Sequence, residues 1–322
     1  MRAMRTHRFP NIPVHATAIS LGTGPLGSPE VPPERAFPIY DAYAAGGGNF
    51  LDTAHVYAAW IPGGEGASET CIGKWMQARG NRDRIVVATK GSHPPLANMH
   101  RSRLDAASIA ADIDDSRKRL GIDTIDMWYL HRDDVTVPVV GILEALAKHI
   151  AQGHVRAIAA SNWSPARLDE AAGIAKSRGL PAFVASQCEW SLAERSHKRP
   201  MGGGNLTTDA VTIRYHEQTG LPQVPYSSQA NGFFAKPLEE ACRKLPQYDT
   251  PANRHRWEAV QRIAGELHVT PNQVALAWLL QHPQGGFAII GPKTVAQVED
   301  SLHAAKVKLS HAQWKELADG HG

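Results

Sequence analysis

The sequence predicts a (β/α)₈ barrel, and three observations predict it. Short β-rich apolar runs alternate along the chain with longer helical patterns, which implies a parallel sheet with helical crossovers. About eight such units fit within 322 residues, and no stretch rich in Gly, Ser or Pro divides them. Residues 1–322 therefore read as one barrel domain rather than a two-domain doubly wound protein. Finally, nearly every strand is followed at once by a polar residue able to do chemistry, and in a barrel those strand ends converge on one mouth.

Residues 17–21 read as the first strand and 34–45 as the first helix. A short strand at 49–52 leads to a helix at 68–79, with Ser68 as its N-cap because a hydroxyl there can accept from first-turn amides. Residues 84–89 (RIVVAT) are a buried strand. The helix over 106–120 ends at Gly121, and the strand IDMWYL occupies 125–130. A helix at 137–152 ends at Gly153, a strand follows at 155–160, and the helix at 165–178 ends at Gly179. Glycine stops these helices because it enters the left-handed region without a Cβ clash. Residues 183–187 are a strand. The helix at 209–219 ends at Gly220, ahead of the strand at 223–226. Two helices then flank Pro271, the last strand is 287–290, the last barrel helix 295–305, and 310–317 is a C-terminal extension. Two connections, 188–206 and 227–250, exceed ordinary loop length; both follow strands, so they sit over the mouth.

Composition narrows the function. Hydrophobic residues make up 43% and charged residues 20%, which excludes a disordered chain. The net charge is only +3 and its basic residues are scattered, so nucleic acid is not an expected partner. Apolar stretches such as 275–280 fall far short of the ~18 residues of a membrane span. The basic start at 1–8 is followed by no apolar segment of signal-peptide length. Cys71, Cys188 and Cys242 form no Cys-x-x-Cys, so neither a disulfide framework nor a zinc ribbon is indicated, and a reduced, cytoplasmic setting is expected. The 16 histidines contain no His-x-His or His-Glu-x-x-His, and no metal is expected. There is no Gly-x-Ser-x-Gly elbow. Gly202–Gly204 is a loop tip, not a phosphate loop, because no Gly-Lys-Ser/Thr follows.

The polar strand ends are the informative pattern. Asp52, Lys90 and His131 close the second, third and fourth strands. Ser161 and Asn162 follow the fifth, Gln187 ends the sixth, and Tyr226 with Ser227 ends the seventh. Gly291, Pro292 and Lys293 follow the eighth. Taken singly, Asp52 reads as a helix cap, His131 as a satisfied histidine and Tyr57 as a packing residue with a wet hydroxyl. Together, Tyr57, Lys90, Asp52 and His131 form one device. A phenol with a pKa near ~10 is a poor acid, and an adjacent ammonium stabilises its phenolate. Asp52 would hold Lys90 charged, and His131 would complete the hydrogen bonding around a substrate oxygen. Such a device protonates a carbonyl oxygen as hydride reaches its carbon. Trp60, Trp163 and Trp190 lie on the same face, as walls of an apolar or sugar-stacking pocket or, alternatively, as core.

At these residues the chain resembles the aldo-keto reductases. The resemblance is carried in order by FLDTAHVY (50–57), VATKG (87–91), YLHR (129–132), ASNWS (160–164), SQCEW (186–190), PYSS (225–228), TPNQVALAWLL (270–280) and IIGPKTVAQVEDS (289–301). It implies the same barrel, a nicotinamide cofactor, and Tyr57 as proton donor assisted by Lys90, Asp52 and His131. It further implies Ser161, Asn162 and Gln187 on the nicotinamide carboxamide, Tyr226 stacked on its ring, and Ser227 and Ser228 at the pyrophosphate. Gly22 and Thr23 would lie beneath the cofactor. Gly291 would border the cofactor, Lys293 and Thr294 would meet the adenosine 2′-phosphate, and Gln297, Asp300 and Ser301 would line the adenine pocket. Many members carry Arg where Gln297 stands, and Glu and Asn at the positions of Asp300 and Ser301. Lys293 can replace that guanidinium as a point charge, so NADPH is expected ahead of NADH.

The expected reaction is reduction of an aldehyde or ketone, sugar-type carbonyls included. The alternatives are a sugar or polyol dehydrogenase working oxidatively and, in another class, a cofactor-binding redox-sensing subunit. All four device positions are filled and no long extra interaction segment is present, which favours an enzyme. A homo-oligomer is compatible with the sequence. Gly22-Thr-Gly24-Pro-Leu-Gly27 matches G-x-G-x-x-G, but Pro25, Pro32 and Pro33 delay the helix that a dinucleotide fingerprint needs to open within its glycines.

Overall fold

The computed structural model describes residues 4–198, 203–283 and 286–320; Gly202 of the loop tip read above lies outside them. A small antiparallel pair, β1 (Thr6–His7) and β2 (Ala16–Thr17), precedes the main sheet. The main strands are β3 (Ile19–Gly22), β4 (Phe50–Asp52), β5 (Val86–Gly91), β6 (Ile125–Leu130), β7 (Val155–Ser161), β8 (Ser186–Gln187) and β9 (Ala288–Ile290). They pair in parallel in the order β8-β7-β6-β5-β4-β3-β9.

The gap between β8 and β9 is closed by residues 222–226, the strand expected at 223–226. Val224 N–H donates to Ser186 O (2.8 Å), and Ile289 N–H donates to Pro225 O (2.9 Å). This segment is joined by isolated bridges rather than a ladder. The reason is chemical: Pro222 and Pro225 have no N–H to donate. The barrel is therefore closed as the alternation predicts, through seven laddered strands and one sparse one.

The helices are α1 (Pro33–Ala45), α2 (Ala67–Arg79), α3 (Ala106–Leu120), α4 (Val139–Ala151), α5 (Pro165–Arg178), α6 (Ala210–Thr219), α7 (Leu238–Lys244), α8 (Pro251–Leu267), α9 (Pro271–Leu280), α10 (Val295–His303) and α11 (His311–Asp319). Gly121, Gly179 and Gly220 do adopt left-handed backbone at their helix ends. The short α7 inside the 227–250 connection was not read from the sequence. The role expected of Ser68 is corrected: Gly66, with φ +67°, precedes α2, and no side chain caps it. Ser68 lies one residue into the helix, where its Oγ meets Thr23 Oγ1 at 2.8 Å and Thr53 Oγ1 at 2.9 Å. Across 22–27 the chain turns instead of opening a helix, and α1 begins only at Pro33, so these glycines do not build the strand–turn–helix of a Rossmann fingerprint.

Two apolar shells hold the barrel. The outer one lies between strands and helices, with Leu51, Val87, Trp128, Leu130, Ile158 and Ile290 on the strand side. The inner one fills the barrel with Phe50, Val86, Ala88, Met127, Tyr129, Ala157, Ala159, Ala185, Val224 and Ile289. Side chains two apart share a strand face. The inner rows are thus continued by Asp52, Lys90, His131, Ser161, Gln187 and Tyr226, each two residues beyond an inner residue. Phe9 and Ile12, in the loop between β1 and β2, join the inner shell from the strand N-terminal end. The Phe9 ring stacks on Phe287 at 5.5 Å. No described helix is long and apolar enough to cross a membrane.

Phe9 closes the end opposite the mouth. Phe9→Ala should cost about 3–5 kcal/mol of stability, read as a fall in the urea midpoint, while cofactor binding is retained; an unchanged midpoint would show that the plug contributes nothing.

Candidate active site

Three of the four device residues reach the mouth from strand ends and the fourth from a turn. Asp52 ends β4 and pairs in register with Ala88, which puts Lys90 two residues further up on the same inner face. Tyr57 comes from the turn after β4, which is tied by His55 N–H to Lys90 O (2.8 Å) and Tyr57 N–H to Ala54 O (3.0 Å). His131 follows β6 and donates its N–H to Gly91 O (2.9 Å).

Lys90 is buried, 1% exposed, and its ammonium uses all three protons. Nζ donates to Asp52 Oδ1 (2.6 Å), Thr53 O (2.9 Å) and Tyr57 Oη (3.0 Å). Because Tyr57 Oη accepts from Lys90, its own proton is left to be donated elsewhere. Burial works against the Lys90 charge, but Asp52 and Tyr57 outweigh it and raise its pKa. The sequence led us to expect a depressed Tyr57 pKa; the structure instead raises it, because burial exceeds the opposing pull of Lys90. Tyr57 is therefore a protonated donor at neutral pH. The His131 ring stands 5.9 Å from that of Tyr57. Burial first, then Arg132, Lys90 and His93, push its pKa well below the usual histidine value, so it is neutral. Its buried Nδ1 has no hydrogen-bond partner among the described residues.

A cleft of about 680 Å³ runs from this group to the N-terminal part of α10. Of the residues expected around a cofactor, Gly22, Tyr226, Ser227, Ser228, Gly291, Lys293, Gln297, Asp300 and Ser301 line it, together with Asp52 and Tyr57. A Cβ on Gly22 would stand 2.8 Å from Ile289 Cγ2, so glycine is needed for strand packing at the cleft floor. Asp300 accepts from Thr270 Oγ1 (2.8 Å), Asn272 Nδ2 (2.7 Å) and Gln273 Nε2 (2.8 Å), which ties α10 to the start of α9. Gln297 turns back to accept from Lys293 N–H (2.7 Å), and Ser301 accepts from Gln229 Nε2 (2.9 Å).

Five expected residues do not line this cleft. Thr23 is buried and donates to Asp52 O (3.0 Å), and Thr294 caps α10 by accepting from Gln297 N–H. Ser161 donates to Gln187 O (3.0 Å), and Gln187 Nε2 donates to Asp52 Oδ2 (3.0 Å). Asn162, with φ +61°, donates to His131 O and Ser161 Oγ and accepts from Leu206 N–H and Tyr226 Oη. Apart from Thr294, these groups form one network behind the mouth. The tryptophans also separate. Trp60 is 54% exposed, its ring 6.1 Å from that of Tyr57. Trp163 packs edge-on against Phe183, and Trp190 against Trp278 and His282, so both belong to the outer core.

The sequence reading missed Gln229, Asn231, Lys236 and Asn272, all of which line the cleft. Lys236 Nζ is held by Asn231 O and Gly232 O, both at 3.0 Å. The length of the 227–250 connection was the available signal, but nothing in its composition says which side chains turn inward. The donor set suits a dinucleotide phosphate: two ammonium groups, Lys236 and Lys293, with glycine backbone at Gly24, Gly232 and Gly291. Among the described residues no group of three or more His, Cys, Asp or Glu could hold a metal ion.

Known proteins match the chain over most of its length. The model of the Aldo/keto reductase family matches residues 18–319. The aryl-alcohol dehydrogenase (NADP(+)) of Phanerodontia chrysosporium is 29% identical, over 95% of this chain and 82% of its own. The aldo-keto reductase yakc (NADP(+)) of Schizosaccharomyces pombe is 30% identical, over 85% and 78%. Norsolorinic acid reductase B of Dothistroma septosporum is 28% identical, over 88% and 71%.

The depressed pKa values of His131 and His93 set a pH dependence. Below about pH 6.5 the unfolded chain takes up protons that the native histidines refuse, so stability falls as pH falls and is regained above that value. The urea midpoint should drop between pH ~7.5 and ~5.5, and more shallowly in His131→Gln, by up to about one proton. Equal slopes in the two proteins would show that His131 titrates normally.

Proposed function

This chain is an oxidoreductase of the aldo/keto reductase family, and we propose that it reduces an aldehyde or ketone to the alcohol with NADPH, Tyr57 supplying the proton. The whole chain acts as one barrel domain in this reading. The observation that carries it is the Lys90 ammonium, which donates to Tyr57 Oη and so leaves the phenol proton directed at a substrate oxygen. A bound nicotinamide supplies hydride to the carbonyl carbon. Tyr57 donates to the carbonyl oxygen as negative charge develops there, and the adjacent Lys90 charge stabilises the phenolate left behind. Asp52 keeps Lys90 ionised in a dry site. Neutral His131 donates a second hydrogen bond to the same oxygen and fixes which carbonyl face is presented.

Ser161, Asn162 and Gln187 are the carboxamide partners in this reading, exchanging bonds within their network for bonds to the ligand. Tyr226 stacks beneath the ring, with Ser227 and Ser228 near the pyrophosphate. Lys293 and Lys236 supply positive charge for a 2′-phosphate. Two of the similar proteins carry NADP(+) in their names, which supports the phosphorylated cofactor. The aryl-alcohol substrate named for one relative, together with Trp60 exposed beside Tyr57, favours an aromatic carbonyl over a sugar.

Tyr57→Phe should retain NADPH binding and lose about 10²- to 10⁴-fold in kcat on aryl aldehydes, measured as nicotinamide oxidation; normal turnover would remove Tyr57 as the donor. Lys293→Ala should weaken NADPH about tenfold and leave NADH affinity nearly unchanged, by fluorescence titration. Equal losses for both cofactors would place Lys293 away from the 2′-phosphate.

A further inference from the structure

Beside His131 stands a guanidinium that the proposed chemistry does not use. Arg132 is partly buried at the mouth, and the loop after residue 203 passes over it: a Cβ on Gly204 would lie 3.8 Å from Arg132 Cδ. One terminal nitrogen, Nη1, donates to His131 O at 3.0 Å. Nε is buried and has no hydrogen-bond partner among the described residues. Among the described residues no acid forms an ion pair with it. Asp52 is bound to Lys90 at 2.6 Å, Asp133 to Arg167 at 3.2 Å, and Glu189 to Arg195 at 2.7 Å.

An unpartnered buried N–H is costly and calls for a ligand. The geometry says which kind. With Nη1 committed to a backbone carbonyl, the edge formed by Nε and Nη2 is left. That edge presents two parallel N–H groups in the fork that matches the two oxygens of a carboxylate. Arg132 also acts on Tyr57, Tyr226 and His131, drawing the phenols down and His131 down, so its charge reaches the groups that surround the reacting carbonyl.

We propose that Arg132 is a specificity-determining residue that binds a carboxylate on the substrate, so that the preferred carbonyl compounds are carboxylate-bearing aldehydes or ketones. Because Arg132 acts on Tyr57 and His131, a substrate carboxylate would meet its guanidinium while the carbonyl oxygen meets those two groups. The identity of the reaction rests on the reading above, but the recognition itself needs no turnover and is tested apart from it.

Calorimetry with NADP(+) present, using benzoate and neutral benzamide as non-reacting probes, isolates the recognition. The wild-type protein should bind benzoate about 10- to 100-fold more tightly than benzamide. Arg132→Gln should collapse that ratio at least tenfold, and Arg132→Lys should restore part of it, since Lys keeps the charge but loses the fork. In turnover, the kcat/KM ratio of 4-formylbenzoate to its methyl ester should fall by the same factor in Arg132→Gln, with the loss mainly in KM. Benzoate binding no tighter than benzamide in the wild-type protein overturns the proposal, and so does an equal loss on acid and ester. If neither aldehyde is reduced while the benzoate preference holds, the reaction reading fails and the Arg132 assignment stands.

Discussion

The Lys90 ammonium is buried inside a barrel whose other inner residues are mostly apolar, and much of the architecture around the mouth follows from keeping it there. Taking an ammonium out of water costs several kcal/mol unless each proton finds an acceptor. Here the three acceptors come from one short stretch, Asp52, Thr53 and Tyr57, at and just after the end of β4. The β4–β5 register therefore has little freedom. A one-residue slip would turn Lys90 outward into the Trp128 and Leu130 layer and leave the Asp52 carboxylate unpaired inside. One of the three bonds holds Tyr57 Oη, so the interaction that makes burial tolerable also fixes that phenol at the mouth.

The two ends of the barrel divide the work. At the strand N-terminal end, Phe9, Phe50 and Phe287 close the interior with aromatic contacts, and the His7 ring packs on Phe9 and Phe287. At the other end six inner rows terminate in a polar side chain and those of β3 and β9 in Gly22 and Gly291, and long connections cover it. Those connections are pinned by a buried carboxylate. Glu189, 2% exposed, accepts from Arg195 at 2.7 and 2.8 Å, from Tyr248 Oη at 2.7 Å and from Thr207 Oγ1 at 3.2 Å. One side chain thus joins the connection after β8 to the one after residue 226. Such fastening lets loops form a shaped wall over the mouth at positions where sequence composition alone would describe only loop.

Residue order alone was enough for the barrel and for the grouping of Tyr57, Lys90, Asp52 and His131 at its mouth. Strand and helix patterns differ in period and in their stop residues, and these are local properties, so the alternation, the glycine helix ends at 121, 179 and 220, and the polar strand ends could all be read directly. The family strings then ordered the same residues. Local pattern misled where a residue's partner lay far away in the chain. Ser68 has the chemistry of a cap but spends its hydroxyl on Thr23 and Thr53. Trp163 and Trp190 follow strands that reach the mouth but turn into the outer core. Strands buried on both faces are apolar throughout, so their inward side is not marked by alternation.

What required the folded chain is everything set by distance between separate segments. The upward pKa of Tyr57 depends on how completely closure excludes water, and no sequence pattern reports that against the pull of a known cation. Lys236 became a cleft residue because its connection is tied to α8 through Trp257 and to α9 and α10 through Gln229. Arg132 stood in plain view within YLHR, yet its missing counter-ion could be seen only once Asp52, Asp133 and Glu189 were each found committed to another base. Charge pairing is a property of three-dimensional neighbours: sequence supplies the charges, and packing assigns them to one another or leaves one for a ligand.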